Sequence, residues 1–226
     1  AHWYNAVSYA LALAKKMGDK EFEKEWKALP AQIKKSFVEM FYLTEEGYLA
    51  DYIDSYGKDT AIRCNQIVAC GLPNIMLNEE QIVNILVTVR QHLLTPAGLR
   101  SLSPLHPMFE STYKENPIEQ EAAATNGAVW VWPLMFYVEC ALRLDGPRFL
   151  PHAEEMLAAF DDNIQTYCIG SIAEYYDANP PFAPRGAVSQ AWSVGGVLYI
   201  KQLIEKYKAK AKRAAKRTAT KKSVKK

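Results

Sequence analysis

The chain of 226 residues contains no uninterrupted run of 18 apolar residues, so no membrane-spanning helix is expected. No charged, apolar, small-residue leader pattern stands at its front. Its four cysteines, Cys64, Cys70, Cys140 and Cys168, form no C-x-x-C pair and sit mostly in apolar runs. They read as buried, reduced thiols. His2, His92, His106 and His152 are scattered and never stand at the i, i+4 spacing that turns two imidazoles to one helical face, so no metal site is expected. G-x-S-x-G, a glycine-rich phosphate loop and H-E-x-x-H are missing as well. Those gaps remove the simplest serine-hydrolase, nucleotide-binding and zinc-hydrolase readings.

What is present is a large apolar fraction, 49%, in a chain within the size range of one domain. The net charge of +2 conceals an asymmetry. Lys206 to Lys226 holds eleven Lys or Arg and no acid, which leaves 16 of the 27 basic residues against 25 acidic ones, so the body is about nine units negative. A negative body argues against a nucleic-acid-binding fold. Residues 208–226 are poor in apolar groups and read as a basic, disordered tail, either a solubilising extension or a polyanion tether.

Helical periodicity dominates the remainder. Helices are expected over Trp3 to Met17, closed by Gly18, then Lys20 to Ala28 and Ala31 to Phe41, divided by Pro30. Gly47 to Asp59 alternates apolar and polar residues between glycines and reads as a loop or short hairpin arm. Further helices are expected over Gln66 to Pro73, Glu79 to Leu94, Gly127 to Leu144, Arg148 to Asn163 and Ala187 to Tyr207. In the fifth of these, apolar positions 82, 83, 86, 87, 89 and 93 read as one core-facing stripe. Between the sixth and its predecessor lies a long proline-rich loop, Thr95 to Ala124, of the kind that lines sites. Helix, long loop, helix as a recurring unit suggests an all-α toroid over residues 1–207. The chain opens inside an amphipathic helix without an initiator Met, so it reads as a piece of a longer product, and an incomplete ring is expected to pair with another chain, stay partly exposed or belong to a larger protein.

The segment richest in site chemistry is GSIAEYYDANPPFAPRGAVSQAWSV, from Gly170 to Val194. It places one carboxylate, Glu174, among tyrosines and turn residues and leads to Gln190 and Trp192 at the start of the last helix. Aromatic faces with convergent polar groups are what a polyol site uses. Four other segments carry a resemblance: HWYNAV at the start, IRCNQIVACGLP from Ile62, LLTPAGLRSLSP from Leu93 and NGAVWVWPL from Asn126. In their order and spacing, together with the Gly170 to Val194 stretch, they resemble the C-terminal glucosidase domain of glycogen debranching enzymes, the amylo-α-1,6-glucosidase family. The likeness covers Ala1 to about Tyr207.

That resemblance implies an incomplete, C-terminal portion of an (α/α)6 toroid of the glucoamylase type. It implies a cytoplasmic, cofactor-free hydrolase that removes the α-1,6-linked glucose at a branch of glycogen or a related oligosaccharide, with inversion. Glu174 matches the family's general base, and the family's general acid is an aspartate just before the segment matching HWYNAV, hence expected upstream of this chain. Three departures stand out. Family members carry an arginine-aspartate pair and a tyrosine-histidine pair ahead of Gly127, where this chain has Gln120 to Asn126, leaving Glu121 for the acidic role. Cys64 stands where the family usually has a proline. The acid lies outside the sequence, so a noncatalytic glucan-binding module or inactive remnant is the alternative.

Arg63, Asn65 and Gln66 offer a cation and two amides to sugar hydroxyls, or else Asn65 caps the next helix and Arg63 pairs with Asp54 or Asp59. Arg100 either contacts sugar or braces its loop, with bracing favoured. Trp130 and Trp132, two apart on an expected helix, diverge by about 200° and are not expected to face one ligand together. Trp192 is either a stacking platform or core, and Asp51 and Asp54 are the remaining loop carboxylates able to replace the acid.

Overall fold

The computed structural model describes residues 1–112, 116–167 and 169–223, with side chains up to 214. The expectation for Cys168 lies outside these residues. The chain is mostly helical. It opens with α1 (His2–Met17), ended by Gly18 in the left-handed conformation at φ 78, followed by α2 (Lys20–Trp26) and α3 (Leu29–Phe41). Pro30 lies inside the first turn of α3 rather than ahead of it, because that turn has no use for the missing N–H. These three helices bury little. Neither α2 nor α3 has a buried residue, and Trp3, Tyr9 and Met17 of α1 are exposed.

Two small hairpins follow, β1 (Tyr42–Leu43) with β2 (Tyr48–Leu49) and β3 (Ile53–Asp54) with β4 (Gly57–Lys58). They are the hairpin arm expected between Gly47 and Asp59, extended to include its neighbour. Then come α4 (Gln66–Gly71) and α5 (Glu79–His92), the latter opened by a reciprocal cap in which Asn78 and Gln81 bond each other's backbone. The stripe expected on α5 divides. Ile82, Ile85 and Val89 are buried, whereas Val83 and Val87 are exposed on the opposite side.

The main departure from an all-α expectation is a five-stranded antiparallel sheet, ordered β5 (Leu94–Thr95), β6 (Gly98–Arg100), β7 (Val129–Trp130), β8 (Tyr175–Tyr176) and β9 (Pro184–Arg185). Strands of two or three residues are too short to show alternation, so no periodicity in the chain marks them. One register row runs Leu94, Leu99, Trp130, Tyr175, Arg185 across all five. At Gly98, φ is 141 and a Cβ would stand 2.3 Å from the Trp130 carbonyl oxygen, so only glycine lets β6 and β7 approach this closely. The expected long loop is also interrupted by α6 (Pro117–Thr125).

The centre is α7 (Trp132–Asp145), whose residues from Pro133 to Leu142 are largely buried between α4 and α10 (Ala191–Ser223). A Cβ on Gly71 of α4 would lie 2.6 Å from the Phe136 Cβ, which fixes how closely α4 crosses α7. A 3-10 turn (Gly146–Phe149), α8 (Leu150–Ala158) and α9 (Asp161–Thr166) occupy the span expected as one helix. Ile67, Ile85, Leu99, Leu134, Leu142 and Ile200 have 0–1% exposure and knit sheet and helices into one core. The basic segment expected as a disordered tail continues α10 to Ser223, in keeping with the helix propensity of Ala, Lys and Arg. Among the described residues no helix is long and apolar enough to cross a membrane.

Candidate functional site

A cleft of about 470 Å³ opens where the hairpin arm, the start of α4, the end of α6 and the starts of α7 and α10 converge. Its walls are aromatic: Tyr52, Trp130, Trp132 and Trp192. Its floor is polar, with Asp51, Arg63, Asn65 and Asn126. The volume lies within the range of small-molecule sites, and rings beside hydrogen-bonding groups suit a polyhydroxylated ligand.

The floor is organised by Arg63. Its Nη1 donates to the Thr125 carbonyl (2.8 Å), its Nη2 to Asn126 Oδ1 (2.9 Å), and its Nε faces Asp51 Oδ2 at 3.5 Å. Asn65 Nδ2 donates to the other Asp51 oxygen at 2.9 Å. Asp51 is therefore the partner of Arg63, not Asp54 or Asp59. Those two are engaged locally, Asp54 by the Tyr56 N–H and Asp59 by the Ala61 N–H. Asn65 makes no side-chain cap on α4. Gln66 turns into the core, where Nε2 donates to the Arg63 carbonyl and Oε1 has no partner among the described residues.

Both Trp130 and Trp132 line the cleft, contrary to the expectation that they diverge. The reason is backbone geometry. Pro133 belongs in a first helical turn, so α7 starts at Trp132 and leaves Trp130 extended in β7. Trp130 Nε1 donates to the Ala124 carbonyl (2.8 Å), and its ring lies 5.1 Å from that of Tyr175. Trp192 is 66% exposed and so is not a core residue.

Glu174 immediately precedes β8, beside the Trp130–Tyr175 pair, and its carbonyl accepts from Ser193 Oγ at 3.1 Å, one residue beyond Trp192. Its Oε2 accepts from the Ala187 N–H at 2.9 Å, and its own N–H donates to the Ala187 carbonyl at 3.0 Å. Oε1 takes no hydrogen bond from the described residues. The carboxylate is thus anchored by one oxygen. It is not among the residues lining the cleft, and neither are Gln66, Arg100, Glu121 and Gln190. Arg100 braces, donating from Nε to the Ala178 carbonyl at 2.9 Å, and burial pulls its guanidinium below the ordinary arginine value. Gln190 Oε1 accepts from the Trp192 N–H and so caps α10, while Glu121 lies exposed on α6.

Sequence reasoning did not single out Tyr52, Asn126 or Trp132 for the cleft, and weighed Asp51 only as a spare acid. Only Trp132 had a local signal, the proline after it.

Two expectations test the site's construction. Gly186 has φ 69, and a Cβ there would lie 2.5 Å from Glu174 Oε2 and 2.8 Å from its Cβ. Gly186→Ala should cost about 1–2 kcal/mol for the left-handed backbone and lower Tm by about 2–8 °C. An unchanged Tm would show that the turn does not hold Glu174. Cys64 is 4% exposed, and burial, with Asp51 adding to it, pushes its thiol up to about 12. Iodoacetamide at pH 8 should leave it unmodified in the folded chain and label it in urea, by peptide mass spectrometry. Rapid labelling of folded protein would mean that the cleft floor opens.

Neutral trehalase Nth1 from Saccharomyces cerevisiae is similar in structure, with a TM-score of 0.59 at 17% identity. The match covers 91% of this chain but 36% of the trehalase, so the chain spans about a third of its length. At that identity the likeness concerns the fold alone, that of a partial α/α toroid. No curated protein matches the sequence. The family model for amylo-alpha-1,6-glucosidase matches residues 1–199, which includes the whole cleft and Glu174, and the chain belongs to that family.

Proposed function

We propose that the chain is the base-bearing portion of a glycoside hydrolase that releases α-1,6-linked glucose from a glycogen-type branched glucan with inversion. The observation that carries this reading is Glu174, a carboxylate anchored through Oε2 by the Ala187 N–H, next to the strand that packs on the tryptophan cleft. Its Oε1, which takes no hydrogen bond from the described residues, serves to take a proton from water. Arg63, Asn65, Trp130 and Trp192 hold the terminal sugar, with Asp51, Asn126 and Trp132 beside them. Gln66, Arg100 and Gln190 position these residues from behind. In an inverting site the acid and base stand about 6.5–9.5 Å apart, leaving room for the attacking water. Asp51 is not assigned as the acid, because both its oxygens are engaged by Arg63 and Asn65. The acid is the family's aspartate, contributed by sequence ahead of Ala1. The buried free thiols of Cys64, Cys70 and Cys140 accord with a reducing, cytoplasmic setting.

A second reading, a noncatalytic glucan-binding module, is favoured by one observation: Glu174 does not line the cleft. Glucose release from a branched limit dextrin, measured for the chain and for its upstream-extended gene product, separates the two. Release of β-glucose as the first-formed anomer supports the hydrolase. Binding by calorimetry with no release from either protein transfers the assignment to the binding module.

A further inference from the structure

Beyond Tyr207, α10 changes character. Up to that point Val197, Ile200, Leu203 and Ile204 recur at helical spacing and are buried against the body. Lys208 then closes an ion pair with Glu154 of α8, and Lys210 stands 4.7 Å over the Tyr207 ring. From Lys208 to Ser223 no apolar residue is larger than alanine, and Lys212 and Arg213 have no ion pair among the described residues. Sixteen residues at 1.5 Å each make an arm of about 24 Å.

The arm carries cations without partners of opposite sign in its own sequence. Lys206 to Ser223 has nine Lys or Arg and no Asp or Glu. Like charges four apart recur at Lys208 and Lys212, Lys212 and Lys216, Arg213 and Arg217, and Arg217 and Lys221. Each such pair destabilises an isolated helix by about 0.2–0.5 kcal/mol, a repulsion that a polyanion relieves. The body, about nine units negative by its own composition, repels the same polyanion, so contact is confined to the arm.

We infer that this arm binds the phosphate backbone of double-stranded DNA without sequence preference. The residue types choose among polyanions. No aromatic residue follows Tyr207, so there is nothing to stack on unpaired bases as single-strand binders require. No bulky apolar face exists to enter a lipid headgroup region. A helix whose cations alternate with Ala and Thr is slim enough for the roughly 12 Å major groove of B-form DNA, whereas the major groove of A-form RNA is deep and narrow. After Gln202 there is no Asn or Gln, so no side chain is present for the bidentate contact to adenine, and the cations are left to the phosphates.

The test is fluorescence anisotropy of the full chain on a labelled 24-base-pair DNA duplex at several salt concentrations. With about five phosphates neutralised, log K should fall against log salt with a slope of about −4.5, roughly 500-fold between 50 and 200 mM. The variant Lys212→Gln, Arg213→Gln, Lys216→Gln and Arg217→Gln keeps helix-forming side chains, and circular dichroism checks that the helix persists. It should flatten the slope by about 3.6. The proposal is overturned if duplex binding is unaffected by the four substitutions or is insensitive to salt. It is equally overturned if single-stranded DNA, duplex RNA or phosphatidylserine vesicles at matched charge bind more tightly. None of these results bears on glucose release, so this inference and the hydrolase assignment fail independently.

Discussion

Glu174→Gln is expected to lower glucose release by about 10²–10⁴ fold while leaving the fold and glucan affinity unchanged. Glutamine is nearly isosteric and its side-chain oxygen can still accept from the Ala187 N–H, so the turn that fixes this residue survives. What it lacks is the capacity to take a proton from the attacking water. The loss should therefore appear in kcat, with KM and the calorimetric affinity little changed, the pattern of an interaction made in the transition state. Glu174→Ala separates position from chemistry: it removes the Ala187 contact as well, so Tm should fall only in this variant. Retention of more than a tenth of the activity by Glu174→Gln, in whichever of the two gene products is active, would remove Glu174 from the role of base.

Most helices were legible in the sequence, but α6 fell within an expected loop, and the 3-10 turn, α8 and α9 replaced one expected helix. Gly18 ends α1 in the left-handed conformation, as expected, whereas the Asn78–Gln81 cap on α5 and the burial of Val197, Ile200, Leu203 and Ile204 on α10 came only with the structure. The five-stranded sheet was not legible, since its strands hold two or three residues each and pair across gaps of up to 44 residues, the stretch between Trp130 and Tyr175. That sheet is what assembles the site. It sets Trp130 extended ahead of α7, so two tryptophans that a continuous helix would separate face the same cleft. The polar floor depended likewise on a tertiary competition. Three aspartates were available to Arg63, and two were already taken by backbone N–H groups of the β3–β4 arm and the segment after it. Glu174 was identified by resemblance, and the role of Gly186 in confining it became visible only in the fold, where a Cβ on Gly186 would fall 2.5 Å from Glu174 Oε2.

Arg143→Met should destabilise the fold by about 3 kcal/mol. Arg143 on α7 donates to the carbonyls of Cys70, Gly71 and Leu72, which are among the acceptors left without intrahelical partners at the end of α4. The same guanidinium meets Glu139 Oε1 at 3.4 Å, and Tyr199 of α10 donates to Glu139 Oε2 at 3.0 Å. Burial, with Glu139 beside it, pushes the Tyr199 phenol above its ordinary value, so it remains a donor at neutral pH. One cation thus ties α4, α7 and α10 together. Removing one member of a buried pair costs about 3–5 kcal/mol, and the lower end applies because the Arg143 side chain keeps 33% exposure. With a urea m-value of about 3 kcal/mol/M the unfolding midpoint should fall by about 1 M. Lysine would not rescue it, since an ammonium cannot span three carbonyls and a carboxylate as the planar fork does. The double change Arg143→Met with Glu139→Leu decides the cause: it should recover part of the loss, because Glu139 no longer stands buried without its cation. No recovery would locate the cost in the α4 carbonyls alone, making Arg143 a cap on that helix rather than the centre of a charge network.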